Sequence, residues 1–278
     1  MAANEIVNGI WRYPIKSMMG EEVQVAEVTA RGLAGDRAYA FVDQASNRTA
    51  AVRTWASGFM SYRASFAEEP RAGQQTPAVR ITSPDGETLM TSQPDIDERL
   101  SERFDRPLSL TSYAPAGLLT EFPAGTFAGA ASELTEAPLA GGAPEGTFFD
   151  LACIHLVATS TIDHLKSVYP QGQVDVRRFR PNIVVQTEGE PFVENTWTGR
   201  RVAIGNQVVL KVTIPCPRCV NVTLAQDGLP RAPQLLRGIA QRNMVDLGDF
   251  GSLPCVGVYA DIVEPGPIKQ GDAIRWLD

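Results

Sequence analysis

Two cysteines stand three positions apart at the end of an apolar stretch, in Pro215-Cys216-Pro217-Arg218-Cys219. A strand end aims a side chain rigidly into a cleft, and a thiolate held there is a nucleophile, a redox centre or a ligand for a soft metal. One such pair does not supply the four ligands of a structural zinc. Neither Cys153 and Cys255 nor the two histidines, His155 and His164, stand at a zinc-finger spacing, and two histidines exclude a His-rich metal site. A thioredoxin-type motif needs a helix straight after the pair, whereas Val220 to Leu224 has the composition of a continuing strand. Disulfide exchange therefore ranks below metal ligation. Two small buried side chains remain the plain structural alternative.

Two further clusters are polar. Arg177-Arg178-Phe179-Arg180-Pro181-Asn182 sets three guanidiniums within four positions before the apolar run Ile183 to Val185. Arginine offers a forked donor set matched to phosphate or carboxylate, and Pro181 would fix a turn that aims Arg180 and Asn182 the same way. A solvated basic loop is the alternative. The other cluster is Tyr13-Pro14-Ile15-Lys16-Ser17 with Gly35-Asp36-Arg37, whose polar groups share a pocket only if the strands bearing them are neighbours. Otherwise Asp36 and Arg37 form a surface ion pair worth about 0 to 1 kcal/mol.

The elements that must position these groups are mostly short strands. The chain has 278 residues, 44% of them hydrophobic and 21% charged, which supports a globular core and excludes general disorder. At roughly 150 residues per domain, two units are expected. Val79 to Thr82 and Thr88 to Thr91 flank Asp85-Gly86, a hairpin signal. Asp95 to Phe104 predicts a short helix. A stretch poor in periodicity, Ala114 to Pro144, predicts a linker or irregular excursion. Beyond it, the sequence predicts a strand over Ile154 to Ala158, a helix capped by Ser160, a strand over Ile183 to Gln186, a hairpin from Val202 to Ile214 and a helix over Gln234 to Arg242. Strands over Val256 to Val263 and Ala273 to Leu277 follow. The fold class is β-rich α+β with a few helices. A net charge of −7 has the wrong sign for non-specific nucleic-acid binding, leaving room for a local basic pocket. No apolar run of the roughly 18 residues a spanning helix needs is present, and Met1 to Pro14 lacks a signal-peptide pattern. A cytoplasmic protein with no membrane or nucleic-acid partner is the expectation.

Taken together, the segments YPIKS at Tyr13–Ser17, Gly35-Asp36-Arg37, Phe179-Arg180-Pro181-Asn182-Ile183, Pro191 to Trp197, Cys216-Pro217-Arg218-Cys219 and Pro265 to Asp272 resemble the molybdenum cofactor sulfurase C-terminal (MOSC) domain family. Their order is similar to that in the group of the mitochondrial amidoxime-reducing component. The resemblance implies an N-terminal MOSC β-barrel domain over 1–113, a linker over 114–144 and a MOSC β-barrel domain over 145–278. It implies Cys219 as the thiolate ligand of molybdenum, with Cys216 not a ligand. It also implies a cofactor site, for molybdopterin, drawn from Lys16, Ser17, Asp36, Arg37, Thr159, Ser160, Arg180, Asn182, Arg218 and Cys219. The chain departs from the family pattern at Thr49-Ala50-Ala51-Val52-Arg53, where relatives carry a Thr-Ala-Arg-Gln-like segment.

The activity implied is reduction of N-hydroxylated or N-oxygenated small molecules at a Cys-ligated molybdenum. Cys255 stands alone, so this sequence builds no iron–sulfur cluster, and a separate electron-donor protein is expected. Two other classes share the need for an accessible thiolate among cations. One is a sulfur or cofactor carrier using a Cys219 persulfide or thiolate. The other is a metal-free biosynthetic enzyme that cleaves carbon–sulfur bonds with Cys219 as nucleophile.

Overall fold

A computed structural model of the chain describes residues 5–50, 52, 56–114, 117–123, 134–138 and 143–277. Its largest sheet runs in the order Glu21–Val23, Val7–Arg12, Ile183–Val185, Ile154–Ala158, Ser252–Glu264, Val208–Pro217, Arg201–Ile204 and Ile274–Leu277, and Met244–Asp246 pairs with Ser252–Glu264 off this path. Strand pairing crosses the domain boundary drawn from sequence. Val7–Arg12 lies antiparallel to Ile183–Val185, and Val25–Thr29 pairs with Gly266–Lys269. The first thirty-odd residues thus complete the second unit, and the main core joins Val7, Ile10, Ala26 and Val28 to Leu156, Val202, Leu210 and Val258.

The rest of the N-terminal half builds its own core, from Phe41, Phe59, Ala64, Ile81, Leu89 and Leu100. Arg63–Phe66, Val79–Thr82 and Thr88–Met90 form a three-stranded meander with its turn at the Asp85-Gly86 signal. The helix Ile96–Phe104 closes it, burying Ile96 and Leu100 on one face. A second sheet runs Leu108–Thr111, Ala40–Asp43, Arg48–Thr49, Leu119–Pro123, Leu134–Pro138. Its last two members fall in the stretch taken from sequence as a linker. They pair antiparallel from Leu119↔Pro138 to Pro123↔Leu134, so that stretch contributes strands, while 115–116, 124–133 and 139–142 lie outside the described residues.

Two local expectations change. Residues Val220–Thr223 form a turn of 3-10 helix with Cys219 at its N-cap, instead of a strand. The apolar character there serves packing, since Val222 joins Leu165, Phe179, Leu235 and Ile239 in a third core. The other change is at Ser160: the helix Thr159–Val168 begins two residues earlier than a Ser160 cap would set it, with Ala158 at the N-cap and no side-chain cap. Along Val208–Pro217 inward and outward positions alternate until Thr213 and Ile214, where the register against Ser252–Glu264 shifts twice, at Pro215 and Pro217. Proline has no N–H for the ladder, and the resulting irregularity re-aims the side chains that follow.

Candidate functional site

The re-aimed segment opens onto a cavity of about 510 Å³ whose walls come from both halves of the chain. Four cations line it, Lys16, Arg37, Arg180 and Arg218, together with Ser17, Asn182 and the Cys219 thiol. All four described cysteines are free, and Cys219 alone among them is not fully buried.

Each cation is held by a different local device. Lys16 donates from Nζ to the Phe148 carbonyl at 3.0 Å and to Asp150 Oδ1 at 2.5 Å, tying the start of the chain to the segment that enters the second half. Asp36 is buried behind the lining. It accepts from the Tyr13 backbone N–H at 2.7 Å, from Arg37 and from Asn182 Nδ2 at 2.9 Å, so one carboxylate sets the positions of a loop and two lining side chains. The sequence alternative of an exposed Asp36–Arg37 pair does not hold, because the Asp36 side chain is 0% exposed. Arg37 and Arg180 both lie over the Tyr13 ring, at 4.5 and 4.3 Å from its centroid. Burial first and Arg37 second push Arg180 down to about 10. It donates from Nη1 to the Met18 carbonyl at 2.6 Å.

The arginine cluster seen in sequence divides by role. Arg177 pairs with Asp175, and Arg178 is fully buried, donating to the carbonyls of Gln173, Val222, Leu224 and Pro230. Only Arg180 of the three lines the cavity. Thr159 and Ser160, in the set implied by the resemblance, stand apart from the other members. Their hydroxyls tie the helix start to Thr187 and Glu190, and neither lines the cavity. The residue of the preceding strand that does so is His155, four positions earlier, about 13 Å along a strand. Of the departing segment Thr49–Arg53, Val52 lines the cavity and the Ala50 carbonyl accepts from Ser17, while 51 and 53 lie outside the described residues.

Sequence reasoning missed several lining groups. His155 rests against Gly257, and a Cβ at that glycine would meet His155 Nε2 at 2.2 Å. Burial and then Arg218 push the imidazole down to about 3, so it is neutral near pH 7. Tyr259 lines the same wall and is held well above its ordinary value, by burial and then by Cys216. Leu247, Phe250 and Leu253, from the hairpin beside Cys219, supply an apolar side, with Phe250 66% exposed. Three lining residues carry buried polar atoms with no protein partner: Thr120 Oγ1, Arg218 Nε and Asn221 Oδ1. Such atoms cost about 1 to 3 kcal/mol each unless a ligand or water satisfies them. Among these residues only Arg218 stood in a motif. The others are ordinary in sequence and become visible once the strands are paired.

Among the described residues no helix is long and apolar enough to cross a membrane. The chain is similar to the mitochondrial amidoxime reducing component 2 of Bos taurus, 32% identical over 109 residues, which are 38% of this chain and 31% of that protein. Component 1 of Mus musculus matches at 32% over 109 residues, again 38% and 31%. The matched stretch thus spans about a third of these relatives' length. The YuaD protein of Bacillus subtilis overlays 98% of this chain and 94% of its own with a TM-score of 0.40 at 11% identity. YiiM of Geobacillus stearothermophilus overlays 46% and 55% with 0.33 at 16%. The family model of the MOSC N-terminal beta barrel domain matches residues 4–99, and that of the MOSC domain matches residues 145–275. With both models matching in succession, the chain belongs to the MOSC domain family and carries the N-terminal beta barrel domain ahead of the MOSC domain.

Proposed function

We propose that this chain binds molybdenum cofactor in the cavity and reduces small N-oxygenated compounds there, with Cys219 as the protein ligand of the metal. The observation that carries the reading is the convergence of Lys16, Arg37, Arg180 and Arg218 around one accessible thiol. Similarity to amidoxime-reducing components supports the reductase class.

The residues present fit the group. Molybdopterin is an anionic phosphorylated dithiolene, and four cations with unpartnered Arg218 Nε and Thr120 Oγ1 offer charge and hydrogen bonds to such a ligand. Among the described residues no trio of His, Cys, Asp or Glu gathers into a metal site, so a metal at Cys219 takes its other ligands from outside the protein, as a dithiolene provides. Lys16, Arg37 and Arg180 would hold the anionic part and Cys219 the metal. When bound, the group supplies two-electron chemistry: an N–OH compound takes up two electrons and two protons and leaves as the N–H compound and water. The chain's own contribution is positional. Asp36 locks Arg37 and Asn182, Cys219 would hold the metal as its thiolate, and Arg218 would supply positive charge beside it. Leu247, Leu253 and Ile214 give the cavity an apolar wall. Electrons arrive from a separate donor protein.

The test is metal content. Protein made in a host that supplies the cofactor should carry molybdenum, Cys219→Ser should lose it and Cys216→Ser should keep most of it. Equal molybdenum in wild type and Cys219→Ser overturns the assignment, and molybdenum without turnover by any donor moves the reading to a cofactor carrier.

A further inference from the structure

Cys216 sits two residues before Arg218 and is fully buried, yet it ligates nothing in the reading above. Its sulfur accepts a hydrogen bond from Arg218 Nη1 at 2.8 Å. The other terminal nitrogen, Nη2, donates to the Phe179 carbonyl at 2.9 Å, and the Arg218 backbone N–H donates to the Pro254 carbonyl at 2.7 Å. The guanidinium is thereby fixed at both ends. Its Nε is the one nitrogen of the group without a partner, although the residue is only 9% exposed and lines the cavity. Burial pulls this guanidinium down, and Cys216, Tyr259 and Cys219 together more than offset that.

The choice of sulfur as anchor has a physical consequence. A carboxylate at position 216 would make a bidentate pair and cancel most of the positive charge. The Cys216 sulfur takes one bond, from Nη1 alone, which fixes the direction of the guanidinium and leaves Nε outside the pair. Cys255, close by, does not compete for the arginine as an anion, because burial and then Cys216 push its thiol up to about 12.

We propose that Cys216 is a positioning residue that acts through Arg218, holding the guanidinium so that its Nε–H is presented to an acceptor oxygen of an anionic ligand beside Cys219. The Cys-x-x-Cys segment then divides its work, its first cysteine orienting an arginine and its second facing the ligand. This rests on the reading of the cavity as an anion site, and it gives the first cysteine a role in that site.

The experiment is a double-mutant cycle on metal-free protein, with inorganic phosphate as the probe and calorimetry as the readout. Cys216→Ala should weaken phosphate binding about tenfold. Cys216→Ser, whose hydroxyl also accepts from Nη1, should restore most of the affinity. In an Arg218→Ala background, Cys216→Ala should change affinity by less than about twofold, which a merely structural cysteine would not give. An equal loss in both backgrounds overturns the proposal, as does no loss from Cys216→Ala in the wild-type background. Should Cys216→Ala fail to fold, the wild type carries the test alone. With 15N-arginine labelling, the Nε–H resonance assigned through Arg218→Lys should shift on phosphate addition, and an unmoved resonance at saturation refutes the presentation of that donor. A wild type that binds no phosphate overturns the anion site itself and the proposed function with it. Binding that is indifferent to Cys216 overturns only the role given to this cysteine.

Discussion

Arg180→Met separates what the cavity needs from what the fold needs. The Arg180 side chain is partly buried at the cavity wall, and the drop to about 10, caused by burial and then Arg37, corresponds to roughly 3 kcal/mol of preference against the charged form. Opposing it are a charge-assisted hydrogen bond to the Met18 carbonyl at 2.6 Å, worth about 1.5 to 3 kcal/mol, and the contact with the Tyr13 ring, worth about 0.5 to 2 kcal/mol. These contributions nearly cancel. Methionine keeps much of the volume and removes the like charge near Arg37, at the cost of leaving the Met18 carbonyl without this donor. Folding stability should therefore change by no more than about 2 kcal/mol, a Tm shift within about 8 °C for a chain of this size. Ligand retention should fall far more, since one lost charge-assisted contact of about 1.5 to 3 kcal/mol is a loss of at least about tenfold in affinity. Molybdenum content and phosphate affinity, measured beside thermal melts, check both halves. Unchanged retention refutes the assignment of Arg180 to the ligand, and a Tm loss well beyond that range refutes the separation of binding from folding.

Gly257→Ala should destabilise by about 3 kcal/mol or more, because a Cβ there meets His155 Nε2 at 2.2 Å and the Leu156 carbonyl at 2.5 Å on a backbone with φ of 79°. Chemical denaturation measures it, and a loss under about 1 kcal/mol would contradict the packing described. His155, pushed down to about 3 when folded, takes up its proton near the ordinary value of 6.5 only once unfolded. Its contribution is complete above that value and declines by about 1.4 kcal/mol per pH unit as pH falls from 6.5 toward 3. His155→Gln should flatten the fall in stability between pH 6.5 and 4, and parallel wild-type and variant curves would refute it. Loaded protein given NADH and an amidoxime should be inactive until a donor protein or small reductant is added, and NADH-driven turnover by the isolated chain would overturn the need for a partner.

The legible parts of the fold were those set by local chemistry. The hairpin at Asp85-Gly86, the helix Gln234–Arg242 and the strand Ile154–Ala158 follow from turn residues and periodicity within a dozen positions. Val220 to Leu224 was misread because a short apolar run has no period long enough to tell a strand from a 3-10 turn. The strands Leu119–Pro123 and Leu134–Pro138 were missed because Ala, Gly and Pro dominate around them and hide alternation. Non-local pairing was the larger gap. Nothing near Val7 announces that its strand completes a sheet with Ile183–Val185, and the same pairing brings Asn182 to within 2.9 Å of Asp36. His155, Tyr259 and Asn221 are single residues of common types, so nothing local in the sequence marks their place in the cavity.

The backbone adds an argument that no motif supplied. Seven non-glycine residues among the described ones have φ in the left-handed region, and three of them, Ser17 at 72°, Arg37 at 47° and Arg180 at 54°, line this same cavity. An L-residue held there costs on the order of 1 kcal/mol, and glycine would relieve it without loss of packing in a surface turn. At Asp105, which ends the helix Ile96–Phe104, the conformation has a structural purpose, since the Asp105 N–H closes the last turn onto Glu102. Arg180 likewise ends the short helix Val176–Phe179, with its N–H bonded to Arg177, but its side chain turns away from that helix to Met18 and Tyr13 on the other half of the chain. Arg37 and Ser17 also send their side chains to fixed partners, Asp36 and the Ala50 carbonyl. Strain at three positions is thus kept with a hydroxyl and two guanidiniums in place of glycine, where the side chains converge on a single space. On the proposed reading of the cavity, a bound anion would gain two oriented charges and a hydroxyl-anchored loop from these three positions.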